Sequence, residues 1–151
     1  MIISIFLFLQ CILFVFMFLH DWVDIFPLND IKALRNNHSY KILIIQTIIN
    51  VLVILYPLLL TYIYADYGYP YWVTIAFVCC YGFLTLGTIM TWWVPYLFGS
   101  SIQYKAGFVE YKNTHHCLPA RGDNVIPNTL HVVLHILVWA CFAISLYIFF
   151  R

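Results

Sequence analysis

Four runs of apolar residues, each long enough to cross a lipid bilayer, decide what this chain can fold into. A hydrocarbon core of about 30 Å takes about 20 residues of helix. The runs from Ile2 to Leu19, Ile42 to Tyr64, Tyr71 to Phe98 and Asn128 to Phe150 meet that requirement. The first carries no charge. It has no Lys/Arg-bearing start and no small-residue cleavage site, because Phe18-Leu19-His20-Asp21-Trp22 follows it, so a membrane helix is expected there rather than a signal peptide.

Composition supports the same solvent. Only 9% of the 151 residues are charged and 64% are hydrophobic, whereas a soluble domain carries about 25% charged residues. A water-facing globule of this composition would expose large apolar patches. A soluble enzyme and a disordered chain are therefore excluded. A nucleic-acid binder is excluded too, since it needs clustered Lys and Arg and the net charge is +1. The expected fold is all-α: one four-helix transmembrane domain over residues 1–151, with helices at about 2–20, 42–64, 71–98 and 128–150 and two longer loops on one face.

Several punctuating residues refine this picture. Pro95 is expected to kink or end the third helix and Pro57 to kink the second. Pro127 fits the first turn of the fourth, with Asn124 or Thr129 as cap. Asn29 or Asp30 is expected to cap a turn or helix after Pro27. Trp22, Trp72, Trp92 and Trp93 fall near helix ends, where amphipathic rings anchor at an interface. Gln10, Gln46, Asn50 and the stripe Thr85, Thr88, Thr91 are read as hydrogen-bonding glue between helices. The five cysteines form no CxxC and are read mostly as packing residues.

Charge sets the orientation. Lys32, Arg35, Lys41, Lys105, Lys112 and Arg121 lie in or beside the two longer loops, and only Arg151 lies elsewhere. That face is expected to be cytoplasmic, with both termini outside and a bacterial plasma membrane as the location. All six histidines and five of six carboxylates lie on or near the same face; Asp66 alone is opposite.

His131 and His135 are one helical turn apart, about 6 Å along the axis, and an ionisable residue so far inside a span points to function. Two histidines at this spacing suit metal ligation. The candidate metal ligands are His131, His135, His20 and His115. Asp21, Glu110, His116, Asn29 and Asn128 are expected to complete or orient the site. Histidine with carboxylate suits zinc, iron or manganese, and such a centre could activate water against a lipid-like substrate. Heme, held between His20 and His131, is the less favoured alternative. The chain has a single HxxxH and lacks GxSxG, GxGxxG, HExxH and a P-loop, which removes desaturase-type di-iron chemistry and the common nucleotide and hydrolase signatures. The competing reading is non-enzymatic: an accessory subunit, or a homo-oligomeric pore or sensor, whose loops bind a partner membrane protein.

Overall fold

The computed structural model describes all 151 residues. The chain is 72% helical and has no strands. Its elements are α1 (Ile2–Leu19), α2 (Ile31–Asn37), α3 (Tyr40–Tyr64), α4 (Tyr71–Phe98), α5 (Ile102–Ala106), a 3-10 turn (Val109–Tyr111) and α6 (Thr129–Phe150). Four of these, α1, α3, α4 and α6, are long and apolar enough to span a membrane. They leave Phe8, Ile48, Ile49, Leu52, Phe83 and Leu86 exposed, a surface that fits lipid better than water.

Local sequence explains the boundaries. Asp30 caps α2, its carboxylate accepting from the Ala33 amide at 2.9 Å, and Ser39 caps α3 through the Ile42 amide. Pro57 sits inside α3 without ending it. In α4 the backbone widens into a π-helical segment over Ile89–Trp93, immediately before Pro95. Proline has no N–H for the preceding turn, and a widened turn is one way for a helix to continue past it. The helix ends at Gly99, whose φ of 85° needs a residue without a Cβ. The cap of α6 is Asn128, not Asn124 or Thr129, and Pro127 lies before the helix rather than in its first turn. Asn124 serves the end of α4 instead, donating to the Tyr96 carbonyl at 2.9 Å.

Helix α4 packs chiefly against α6, and α1 lies against both α3 and α6; contact between α3 and α4 is sparse. The tight core joins Phe6 and Leu13 of α1, Ile54 and Leu60 of α3, Val73, Phe77 and Tyr81 of α4, and Val138 and Cys141 of α6. Phe6 meets Phe77 and Tyr81 edge-on at 5.4 and 5.8 Å, a favoured aromatic geometry. Phe6, Val73, Phe77 and Cys141 belong to the half of the bundle nearer the short α3–α4 turn. The half nearer the longer loops holds the histidines and all the carboxylates but Asp66.

Gln10 is fully buried on α1, beside the Tyr81 hydroxyl of α4. All five cysteines are free; Cys141 is a core residue, whereas Cys11, Cys79 and Cys117 are exposed.

Candidate functional site

The two longer loops contain short helices and are bound to each other. The His115 amide donates to the Pro27 carbonyl at 2.6 Å, and the Thr129 amide to the His115 carbonyl at 2.8 Å. Asn128 does three things at once. Its amide oxygen accepts from the His131 backbone N–H at 2.9 Å and from the His131 ring at 2.7 Å, while its NH2 donates to the Leu28 carbonyl at 3.1 Å. Asn29 performs a matching task in the first loop, donating to the His20 and Val23 carbonyls and accepting from the Ile25 amide. Both asparagines are thus buried braces of the loop backbone.

At the loop-side end of the bundle lies a cavity of about 570 Å3, within the roughly 300–1,000 Å3 of small-molecule sites. His20, Asp21, His38, Glu110, Tyr111 and His131 contribute to its wall, with Gln46, Asn50 and Thr91 from the helices. Two histidine–carboxylate pairs face it. His20 Nε2 lies 3.2 Å from Asp21 Oδ1, and His38 Nε2 lies 3.1 Å from Glu110 Oε1. Asn37 donates to the second oxygen of Glu110 at 3.2 Å, which satisfies a carboxylate that is otherwise buried.

Electrostatics in this wall follow from burial. The Asp21 carboxyl is raised above its ordinary value by desolvation, with the Glu110 carboxylate adding to the rise and His20 and His38 opposing it. The Tyr111 hydroxyl is likewise pushed up by burial, and the nearby Glu110 and Asp21 carboxylates push it further. Tyr111 is therefore a hydrogen-bond donor, and Asp21 a carboxyl readier than usual to hold a proton.

His131 sits in an aromatic enclosure, with the Trp92 ring 4.2 Å away and Tyr111 edge-on at 5.0 Å. His135 is buried one turn deeper and accepts from Trp93 Nε1 through Nδ1 at 3.0 Å. Consecutive α-helical side chains diverge by about 100°, yet both Trp92 and Trp93 reach histidines of α6. They do so from the π-helical segment, and such segments cluster at functional sites. The hydrogen bonds give the two rings opposite roles at Nδ1: that of His131 faces the Asn128 oxygen and donates, while that of His135 accepts from the Trp93 indole.

This arrangement gives the expected metal set no support. No three His, Cys, Asp or Glu side chains come close enough together to hold a metal ion. His135 has already committed its Nδ1 lone pair to Trp93. His115 is exposed and bonds Thr129 Oγ1 at 2.7 Å, and His116 lies between the Pro127 and Tyr111 carbonyls. His115 and His116 thus fasten the loop and are absent from the wall of the large cavity.

The expected residues His20, Asp21, Glu110 and His131 do come together at that cavity, with Asn29 and Asn128 bracing the backbone behind them. His38 and Tyr111 were missed as site residues. Gln46, Asn50 and Thr91 face the cavity rather than bridging helices, although Thr88 does bridge by accepting from Trp139 Nε1 at 3.0 Å. Trp92 is buried in the site, not anchored at its edge, and Trp22 donates to Thr47 at 2.9 Å. Compared with protein-family models, curated proteins and solved structures, the chain finds no match.

Proposed function

We propose that the protein is an integral membrane protein that binds an amphiphilic substrate at the membrane interface and acts on its polar end with histidine–carboxylate acid–base chemistry. The observation that carries this reading is the cavity of about 570 Å3 with two His–carboxylate pairs, a neutral tyrosine and His131 in its wall. Histidine beside carboxylate is the usual means of moving a proton near neutral pH, because the carboxylate orients the ring and stabilises its charged form. His131 adds a third imidazole to the same wall. Placement at the end of a four-helix bundle suits a substrate whose head is polar and whose body dissolves in lipid. The face bearing the Lys/Arg-rich loops is the cytoplasmic one in this reading.

The test uses the protein reconstituted in phosphatidylglycerol and phosphatidylethanolamine vesicles that also contain monoacylglycerol, diacylglycerol and polyprenol. Lipid products are followed by mass spectrometry over pH 5 to 9. A product formed by the wild type and by His115→Gln, and lost in His38→Gln, Glu110→Gln and His20→Gln, is the expected result. Equal product in all five proteins, or none in any, contradicts the acid–base reading and favours a binding or sensing role for the same face.

A further inference from the structure

The polar cavity does not end at the loops. It shares His20, Asn50, Thr91, Trp92 and His131 with a second space of about 270 Å3 whose remaining wall is largely apolar, with Met17, Phe83, Leu84 and Leu134. Asn50 stands on one side of this space, on α3, and Phe83 to Thr91 on the other, on α4. Contact between these two helices is sparse, and their aromatic contact, Tyr64 with Trp72, lies at the connecting turn. Asn50 is about 15 Å along α3 from its start, at 1.5 Å per residue, so the slot reaches well below the helix ends. Gly87 lies on its wall, and a Cβ built there meets nothing within 4 Å. A glycine inside a helix costs stability relative to alanine; the space beside Gly87 accepts a Cβ, so only a larger side chain there would fill the slot.

Charge restricts what can use this path. No Lys or Arg lines either space, whereas Asp21 and Glu110 both face the polar one. A phosphate head would meet Glu110, and Asp21 wherever it is ionised, with no fixed cation to offset them. A hydroxyl-bearing head would find both donors and acceptors in Tyr111, Gln46, Asn50 and His131.

We infer that the α3–α4 slot is a lateral entrance from the bilayer, and that the ligand is a single-chain amphiphile with an uncharged, hydroxyl-bearing head. The chain lies along Phe83, Leu84 and Gly87, and the head reaches the His–carboxylate cavity. This inference rests on the acid–base reading for the role of the cavity, but the route and the ligand class can fail on their own.

The experiment titrates purified wild type, Gly87→Ala, Gly87→Leu and Gly87→Phe in mild detergent. The probes are 1-monomyristoylglycerol and, for a charged head on the same chain, myristoyl lysophosphatidylglycerol, with binding read by native mass spectrometry. One monomyristoylglycerol per wild-type chain is expected, unchanged in Gly87→Ala and weakened about tenfold in Gly87→Phe, with Gly87→Leu between them. If Gly87→Phe does not fold, Gly87→Leu carries the comparison. The lyso-phospholipid is expected to bind wild type about tenfold more weakly. Equal binding across the Gly87 series, or no binding by wild type, overturns the slot; tighter binding of the anionic probe overturns the head-group assignment. Loss of monomyristoylglycerol binding in Gly87→Phe, with no product in vesicles from any lipid, upholds the slot and overturns the acid–base reading alone.

Discussion

His38 and Glu110 stand 72 positions apart in sequence and meet at 3.1 Å, joining the first long loop to the second across the mouth of the cavity. Glu110 is the more buried partner, and Asn37 holds its other oxygen. Removing the Glu110 side chain leaves its hydrogen-bond partners His38 and Asn37 without their acceptor, whereas a neutral isostere keeps the shape. Glu110→Ala is expected to lower stability in detergent by about 2 kcal/mol, and Glu110→Gln by less. Thermal unfolding followed by circular dichroism checks this, and an unchanged Glu110→Ala midpoint contradicts it.

Asp21 carries a pH dependence of definite sign. Burial raises its carboxyl above 3.8, outweighing His20 and His38, while Glu110 reinforces the rise. A carboxyl raised on folding favours the fold while protonated, so its contribution is full below 3.8 and is lost as pH climbs through the folded value. Asp21→Asn is therefore expected to be more stable than wild type at pH 7, with the gap closing toward pH 4. Melting curves of both proteins across that range decide it; a gap that widens in acid reverses the sign.

Asn128 joins a helix cap to a loop brace, and the two roles can be separated. Asn128→Asp keeps the acceptor for the His131 amide and loses the donor to Leu28. Asn128→Ala loses both. A lost cap costs about 1 kcal/mol, and a stranded buried carbonyl about 1–3 kcal/mol more. The expected stability order is wild type, then Asp, then Ala; an alanine variant as stable as wild type contradicts the brace.

How much of this was legible in sequence depends on distance along the chain. The four long helices were readable because each is a long apolar run, and the observed ends fall within two residues of the expected ones. His20, Asp21, Glu110 and His131 stood out as polar residues crowded beside apolar helices. His38 and Tyr111 did not, because their value lies in partners supplied by the fold, and no local pattern marks a pair 72 residues apart. Gln46 and Asn50 share a helical face by spacing, but spacing does not say whether that face meets a helix or a cavity. Trp92 and Trp93 looked like an interfacial belt; only the π-helical segment before Pro95 turns both toward α6.

Trp93 tests that segment. Its indole N–H is the partner of His135 Nδ1, and Trp93→Phe removes the donor while keeping most of the ring. A buried acceptor left unpaired costs about 1–3 kcal/mol. The loss should be partly recovered in the double variant Trp93→Phe/His135→Leu, where no acceptor remains. Additive losses in this double-mutant cycle contradict the hydrogen bond.

Lipid that stays with the protein through purification reports whether the loop-side cavity holds the head of a membrane amphiphile. Wild type, Glu110→Gln and Gly87→Phe are purified in maltoside detergent, and the retained lipids are identified and counted by mass spectrometry. About one single-chain, hydroxyl-headed amphiphile per wild-type chain is expected, with less in either variant. All three proteins carrying the same lipids, in the proportions of the surrounding membrane, would contradict it.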